Sequence, residues 1–444
     1  MTFSHSLDRL GVEFDDHRVV GDAGLVLPAT LMQHLGLEEL FGEHVNLGAG
    51  EAGANVGRKA LTVIASVLAG GDCIDDVGAL RAAGCEALLG HEVAAPSTVG
   101  IFLRGFTWGH ARQLDGVSRE LLKRAFEAGA GPGDGALTVD LDSTICETYG
   151  LLKEGGTKFT YNHVRGYHPL LAVVSGSGDV CHSRLRGGPA NAGKGAPSFV
   201  RETISRIRAA GSTGQVTMRM DSGFYSHGVV QACRKADVRY SVTIRLQPVH
   251  KEAISQIPKE AWVPIPYFLD GAEVAETTYV PFRDHHANKT PVRLIVRRVR
   301  PTPGSQLDLF GREFTHHAFI TDRAGGTLEL EADHRRHAEV ENAIRDLKYG
   351  VGLNHMPSGK FGANAAWLAL NVMAHNVARW VSRLGLGEAL VTTKRLRRRM
   401  FSASGSLTRS GRQLFLHLPR HWPWAAAFLE ALARLRLIRA PLVT

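Results

Sequence analysis

Alternating apolar and polar residues predict a strand over residues 136–144. Its apolar positions are Leu137, Val139 and Leu141, and its polar positions are Thr138, Asp140 and Asp142. A period of two gives a strand one apolar and one polar face. A second apolar-rich segment, residues 215–220, stops at Asp221 before a glycine turn. Each of these predicted strands therefore carries a carboxylate at its end.

A third acid lies on a predicted helix. At about 100° per residue, one polar face of this helix carries His334, His337, Glu341, Arg345 and Lys348. An adjoining apolar stripe, suited to packing on a sheet, consists of Val340, Ile344 and Leu347. Glu339 and Asp346 project from the far side. Glu341 is therefore the acid of this helix that can face a site, with Arg345 and Lys348 beside it to meet phosphate.

The remaining pattern predicts a mainly helical region at 25–130 and an α/β region after it. Core elements are expected as strands at 167–175 and 180–185 forming a hairpin, a helix at 198–210, a helix near Val229 and a strand at 239–246. The interval from Asp221 to Glu341 is much longer than one helical crossover needs. Strands expected there, at 265–268, 276–280, 291–299 and 313–321, predict a β-rich insertion. A second core helix is expected at 363–381.

These patterns divide the chain into five parts. The predicted parts are a mainly helical N-terminal region (1–130), a first part of the α/β core (131–245), a β-rich insertion (246–320), a second part of the core with the Glu341 helix (321–385) and a basic C-terminal region (386–444). A glycine-rich stretch at 129–135 marks the first boundary.

Composition indicates a polyanionic partner. The 444 residues carry a net charge of +9, with a pI near 9.4. Basic residues cluster at Arg297, Arg298 and Arg300 and again at 394–399, as a phosphate-tracking surface would require; a solvated helix face is the alternative. Five scattered cysteines without paired spacing predict reduced thiols in a cytoplasmic protein. No signal peptide or membrane-spanning segment is predicted.

Two strand acids and one helix acid suggest metal chemistry if folding brings them together. Carboxylate oxygens are the ligands that hard divalent cations prefer, and two such ions can clamp the attacking and leaving oxygens of a phosphodiester. Each acid alone has an ordinary explanation, because an Asp after a strand often forms a turn. The near-match to a phosphate-binding loop at 188–195 lacks the Ser or Thr expected after Lys194, so nucleotide hydrolysis is not predicted.

These residues resemble the signatures of insertion-sequence DDE transposases. The spacing from His334 through His337 and Glu341 to Lys348 is that of their Tyr-Arg-Glu-Lys signature, and the segments beginning at Asp142 and Asp221 resemble the first two acidic motifs. The closer resemblance is to insertion-sequence family thirteen-eighty, related to the insertion-sequence-four group. It extends through Gly70–Cys73, Leu141–Thr144, Tyr149-Gly, Tyr161-Asn, Tyr167–Leu171, Glu341–Lys348, Pro357-Ser-Gly, Phe361–Ala365, Ala374–Asn376 and Leu418-Pro.

The resemblance implies an RNase H-like catalytic core interrupted by the β-rich insertion, and a DNA-binding N-terminal region. Carried over, Asp142, Asp221 and Glu341 hold two Mg²⁺ ions, with Mn²⁺ as a possible substitute, and Lys348 contacts DNA phosphate. The implied partners are the terminal inverted repeats of a transposon and a target duplex, joined by a homodimer in a synaptic complex. The implied reaction is cleavage at the repeats followed by strand transfer.

Two departures from the signature leave roles open. His334 stands where the signature has Tyr, and His337 stands where it has Arg. A histidine can hydrogen-bond a phosphate, but neutral imidazole is a weaker anchor than guanidinium. Asp140 shares the polar strand face with Asp142 and is either the true ligand or a support for it; the resemblance favours Asp142. A metal-dependent endonuclease of the same fold and a DNA-binding regulator without catalysis remain alternative functions.

Overall fold

A computed structural model describes residue 8 and residues 10–82, 84–150, 152–156, 158–160, 162–283, 290–301, 313–388 and 391–439. The chain is a mixed α/β protein with one large mixed sheet. Tyr161, which belongs to the motifs above, lies outside the described residues.

Within the described residues, seven α-helices precede the large sheet. They are α1 (Val26–His34), α2 (Leu37–His44), α3 (Val56–Ala69), α4 (Val77–Ala82), α5 (Glu86–Leu89), α6 (Pro96–Arg104) and α7 (Trp108–Ala125). The apolar run at 61–68 lies inside α3, which is buried along nearly its whole length. Helix α6 begins at Pro96, where the missing N–H has no intrahelical acceptor to lose. Its N-cap residue is Ala95.

The strands, in chain order, are β1 (Val19–Val20), β2 (Leu137–Ser143), β3 (Cys146–Glu147), β4 (Gly166–Tyr167), β5 (Leu170–Val174), β6 (Val180–Arg184), β7 (Val216–Met220), β8 (Arg239–Ile244), β9 (Val263–Pro264), β10 (Glu273–Tyr279), β11 (Val292–Val299), β12 (Thr315–Thr321), β13 (Gly405–Ser410) and β14 (Gln413–His417). Nine of them form the large sheet in the order β6-β5-β2-β7-β8-β12-β11-β10-β9. Strand β7 is parallel to both β2 and β8, and the other neighbours are antiparallel.

The predicted hairpin and the two helices after it are confirmed. Strands β5 and β6 pair antiparallel, and the turn between them uses Gly176 and Gly178 at positive φ, a conformation that costs glycine little. Helices α8 (Ala196–Ala209) and α9 (His227–Lys235) lie on either side of β7 in the chain. This succession brings β2, β7 and β8 side by side.

The strands expected in the insertion lengthen the main sheet. After α10 (Pro248–Ser255), strands β9 to β12 follow, and β12 pairs with β8, with Thr321 opposite Ser241. The strand expected at 265–268 is wrong, since pairing ends at Pro264 and the chain then turns. Pro264 and Pro266 have no N–H to donate to a ladder.

The helix expected to carry both His334 and Glu341 is interrupted. Helix α11 (Thr327–Arg335) ends in a 3₁₀ turn over Arg336–Glu339, and α12 (Val340–Gly350) follows. A 3₁₀ turn has three residues per turn rather than 3.6, so it changes the direction in which later side chains project. The single polar face from His334 to Lys348 is therefore wrong.

The second core helix is confirmed as α13 (Phe361–Trp380), which is almost entirely buried. Two of its polar side chains, His375 and Asn376, bond to backbone groups at the β5–β6 hairpin. The Asn376 amide accepts from the Val180 N–H at 2.9 Å and donates to the Val180 carbonyl at 2.9 Å. Among the described residues, no helix is long and apolar enough to cross a membrane.

Part of the basic C-terminal run is structural. Helix α14 (Thr393–Leu396) leads into a π-helical turn at Arg397–Phe401, and α15 (Ala425–Arg436) comes last. Arg397 donates to the Leu68 carbonyl at 2.7 Å, and Arg399 makes a two-point contact with Glu388 at 2.9 and 3.0 Å. These two arginines hold the C-terminal region in place, so the expected phosphate-tracking surface at 394–399 loses two of its charges.

Candidate active site

The two strand acids lie at the same edge of the sheet. Strands β2 and β7 are parallel neighbours, with Leu141 opposite Met220, and Asp142 and Asp221 are the next residues of each strand. The carboxyl ends of adjacent parallel strands meet at one edge. The sheet pairing therefore brings Asp142 and Asp221 together, as the sequence predicted.

Asp142 is half-buried, and its surroundings disfavour the ionised form of its carboxyl group. Its Oδ1 accepts from the Ser143 N–H at 2.6 Å. Burial is the largest cause that raises the pKa of Asp142 to about 6; the charges of Asp221 and Glu341 act in the same direction, and the Ser143 N–H and His337 oppose the rise. A carboxyl with this pKa sits in a field that favours either a proton or a cation.

Asp221 is also half-buried and held by backbone. Its Oδ1 accepts from the Gly223 N–H at 3.0 Å, which caps a short 3₁₀ turn at Ser222–Phe224. Burial raises the pKa of Asp221, whereas the Gly223 N–H and the charges of His337 and Arg245 lower it. The turn thus fixes one oxygen of Asp221.

Glu341 approaches the strand acids from the first turn of α12. Its side chain is exposed, and its charge reaches Asp142, where it raises the pKa. The oxygens of the three acids do not all lie within 4.8 Å of one another; among the described residues, the one group of three at that spacing is Asp72, Cys73 and Asp76. The three acids therefore interact electrostatically, but their oxygens are not all close enough together to form a compact set of metal ligands.

Asp140 is buried more deeply than Asp142. It is 1% exposed, and Arg219 grips both of its oxygens, Nε to Oδ1 at 2.6 Å and Nη2 to Oδ2 at 2.8 Å. The Nδ1–H of His337 donates to Oδ1 at 2.8 Å. Both oxygens of Asp140 are hydrogen-bonded inside the protein, which favours Asp142 over Asp140 as the candidate ligand.

His334 is buried inside the protein, which corrects the expectation that it contacts phosphate. It is 4% exposed and stacks on Phe319 with ring centroids 4.0 Å apart. Its ring nitrogens are hydrogen-bonded to Ser241 Oγ at 2.6 Å and Thr243 Oγ1 at 2.9 Å. Both nitrogens are thus used inside the protein. His337, also expected to contact DNA, instead has Nδ1 committed to Asp140.

Lys348 and Arg345 remain accessible on α12. Arg345 is exposed and donates to Asn342 Oδ1 at 2.7 Å, and Lys348 is half-buried. Burial raises the pKa of the Cys146 thiol to about 12, and the Lys348 charge opposes that rise. Lys348 therefore lies near β3, which follows Asp142 in the chain.

Arg297 and Arg298 are each paired with an acidic side chain of the protein, which the sequence did not predict. Arg297 donates to Glu331 at 2.6 Å, and Arg298 donates to Glu273 at 2.6 Å. Their side chains are 16% and 17% exposed, and Arg298 lies 4.1 Å from the Trp262 ring centroid. Their charges are neutralised by Glu331 of α11 and Glu273 of β10, which corrects the expectation of a free DNA-binding pair.

Sequence reasoning missed a cavity of about 670 Å³ beside Asp221. Its lining includes Ser143, His168, Asn191, Tyr225, Arg245 and Gln247. His168 Nδ1 donates to the Ala190 carbonyl at 2.5 Å, and Nε2 accepts from Ser143 Oγ at 2.9 Å. The signal was the glycine-rich segment at 188–195, which forms one wall of the cavity.

Comparisons with known proteins place the chain in a family. A cryo-EM structure of a piggyBac transposase synaptic complex with hairpin DNA is similar at a TM-score of 0.45 and 11% identity, over 86% of this chain and 80% of that one. No curated protein matches. A family model, the transposase DDE domain of group 1, matches residues 4–440. The chain therefore belongs to the DDE transposase family of group 1.

Proposed function

We propose that this transposase cleaves DNA at the terminal inverted repeats of its element and transfers the cut strands to a target duplex. The observation that carries the proposal is the meeting of Asp142 and Asp221 at one edge of the parallel pair β2–β7. The charge of Glu341 reaches the same point from α12. One acid from each of three chain segments is the donor set that DDE chemistry requires.

The strand order supports an RNase H-like core. In the order β6-β5-β2-β7-β8, the first three strands are antiparallel neighbours and the last three are parallel. We infer that residues 131–245 and 321–385 form this core, with 246–320 inserted between them. We infer further that residues 1–130 and the basic part of 386–444 bind DNA.

The donor set suits hard divalent cations. Asp142, Asp221 and Glu341 offer only oxygen atoms, the ligands that Mg²⁺ prefers. The charges of Asp221 and Glu341 repel that of Asp142, and a bound cation would relieve this repulsion. We infer that these three residues hold two Mg²⁺ ions, for which Mn²⁺ can substitute. Bound ions would polarise the scissile phosphate and stabilise charge on the attacking and leaving oxygens.

The protein's own residues supply orientation. The Ser143 and Gly223 N–H groups fix one oxygen of Asp142 and one of Asp221. Lys348 and Arg345 on α12 are the cations available for DNA phosphate, and the net charge of +9 favours a polyanion. Joining two transposon ends implies that two copies of the chain act together.

Cleavage assays test the proposal. Asp142→Asn, Asp221→Asn and Glu341→Gln should each abolish Mg²⁺-dependent cleavage of a duplex carrying the element's end, with duplex binding retained. Glu339→Gln is the matched control, because Glu339 forms a surface ion pair with Arg336 at 3.0 Å. Retained cleavage in any of the three variants would show that the ligand has been assigned wrongly.

Strand transfer separates the proposal from an endonuclease. Pre-cut ends with a free 3′-hydroxyl should become joined to a supercoiled target in the presence of Mg²⁺. Cleavage without joining would indicate a hydrolytic nuclease of the same fold. Binding without either reaction would indicate a DNA-binding regulator.

A further inference from the structure

The C-terminal region contains a long run without acidic residues. Residues 389–429 include no aspartate or glutamate, and they include eight lysines and arginines. Arg397 and Arg399 are bonded inside the protein. The other six are exposed and form no ion pair within the part of the chain that the structure describes; they are Lys394, Arg395, Arg398, Arg409, Arg412 and Arg420. An acid-free surface with unpaired cations suits a polyanion.

Strands β13 and β14 form a hairpin that carries two of these cations at its tip. The last pair of the ladder is Ser410 with Gln413, so Gly411 and Arg412 make a two-residue turn. Gly411 has a φ of 59°, a conformation that costs glycine little and that hairpin turns require. The turn therefore places Arg412 at the tip, with Arg409 close behind it on β13.

The two faces of the hairpin differ in character. Leu407 and Leu416 lie opposite each other on one face and are partly buried against the main core. The other face carries hydroxyl, amide, imidazole and aromatic side chains, with Phe415 43% exposed; its residues are Ser406, Thr408, Ser410, Gln413, Phe415 and His417. Such side chains contact the edges of DNA bases, and the face has no acid that would repel DNA.

The segment before the hairpin is anchored to the helix that carries Glu341. Asp346 of α12 accepts from the Thr393 N–H and from Thr393 Oγ1, both at 2.9 Å. Arg397 donates to the carbonyl of Gly350, the last residue of α12, at 2.6 Å. The exposed cations of α14 and of the π-helical turn are therefore fixed beside the end of α12, and the hairpin follows them in the chain.

We propose that the β13–β14 hairpin enters the major groove of the duplex that the active site cleaves, an inference that rests on the proposed function. The major groove is wide enough to admit a two-stranded β-ribbon. Arg409 and Arg412 contact phosphates and position the duplex, whereas the open face around Gln413 contacts base edges and carries sequence information. The hairpin thus takes part in recognising the element's end.

Fluorescence anisotropy with the full-length protein tests the phosphate contacts. The probes are a duplex carrying the element's end and a scrambled duplex of the same base composition. Arg409→Ala/Arg412→Ala should weaken binding to both duplexes and lower the slope of log K against log salt by about two. Arg201→Ala/Lys235→Ala, which removes two exposed cations of α8 and α9, is the matched control and should leave the slope unchanged. An unchanged slope in the hairpin variant would overturn the proposal.

The same two duplexes test base reading. Glutamine can make a two-point contact with adenine, so Gln413→Ala should reduce the preference for the element's end by about tenfold. The salt slope should stay the same, because no phosphate contact is removed. Gln256→Ala, which changes an exposed glutamine at the end of α10, is the control. Full preference in Gln413→Ala would contradict the assignment of this face to base reading.

Two further outcomes separate this inference from its alternatives. Leu414 is 55% exposed; if the hairpin instead joined two copies of the chain, Leu414→Ser would change sedimentation without DNA, and the salt slope of Arg409→Ala/Arg412→Ala would be unchanged. If the hairpin variants bind and cleave the element's end as the unmodified protein does, the hairpin inference is wrong and the transposase function stands. If the unmodified protein binds neither duplex, the proposed function itself is wrong.

Discussion

Arg219 and Asp140 face each other across β7 and β2, directly in register, and form a two-point ion pair inside the sheet. Both side chains are essentially inaccessible. Arg219 also donates to Ser175 Oγ at 2.9 Å, so the buried charges are hydrogen-bonded on several sides. Such a pair fixes geometry more than it adds stability, but removing one partner leaves an uncompensated charge.

We predict that Arg219→Met lowers the free energy of unfolding by about 3–5 kcal/mol, because it strands the Asp140 carboxylate. Urea denaturation followed by circular dichroism measures this. The double variant Asp140→Leu/Arg219→Met should recover much of the loss, since it removes both charges. A double variant as unstable as Arg219→Met would contradict this account.

The raised pKa of Asp142 predicts that its ionised carboxylate destabilises the folded protein in a pH-dependent way. The carboxyl titrates at about 6 in the folded chain and near 3.9 when unfolded, so the folded state binds the proton more tightly. Stability that is present below about pH 4 is therefore lost as pH rises through 6. With EDTA present, Asp142→Asn should be more stable than the unmodified protein at pH 7.5 by about 1–2 kcal/mol, and this gain should vanish near pH 4.

Divalent cations should reverse the destabilisation that the ionised Asp142 carboxylate causes. Mg²⁺ or Mn²⁺ that binds only the folded chain stabilises it by mass action. A cation at about 100 times its Kd should add about 2.7 kcal/mol, seen as an increase in Tm that Asp142→Asn and Asp221→Asn both lack. An equal increase in these variants would place the bound cation elsewhere.

His334 should matter for stability rather than for DNA. His334→Ala removes a buried ring and its hydrogen bonds to Ser241 and Thr243, so it should cost about 2–4 kcal/mol. Burial also lowers the pKa of His334, so its contribution should decline as pH falls below about 6.5. The folded variant should bind DNA normally. A selective loss of DNA affinity would instead support the original expectation that His334 contacts phosphate.

Lys348→Ala should weaken DNA binding without changing the fold. Loss of one phosphate contact should reduce the slope of log K against log salt by about one, whatever the DNA sequence. Fluorescence anisotropy across a salt series measures this slope. Lys235→Ala, an exposed charge at the end of α9, is the matched control and should leave the slope unchanged.

The positions of the two strand acids could be predicted, because the pattern of apolar and polar neighbours in the sequence defines the strands that carry them. The alternation around Asp142 and the apolar run before Asp221 define strands, and the order of elements makes those strands neighbours. The pairing of Asp140 with Arg219 depends on register between distant segments, so no local pattern reports it. A usable signal did exist, since Arg219 lies between two methionines in an otherwise apolar strand and requires a buried partner.

The role of His334 was mispredicted because helical periodicity was extended through a 3₁₀ turn. Local spacing cannot show where a helix tightens, and the residues at 336–339 carry no proline or glycine to mark it. The occupation of Arg297 and Arg298 was equally hidden, because their acids, Glu331 and Glu273, come from separate elements. In each case a tertiary partner decided the role of a charged or polar residue.

The pairing of β12 with β8 has a consequence for biosynthesis. Strand β12 reaches the sheet only after the ribosome has made the whole insertion, and the helix with Glu341 comes later still. A growing chain therefore holds its first two acids long before it receives the third. If the proposed reaction needs all three acids, a nascent polypeptide cannot cleave DNA until its synthesis is nearly complete.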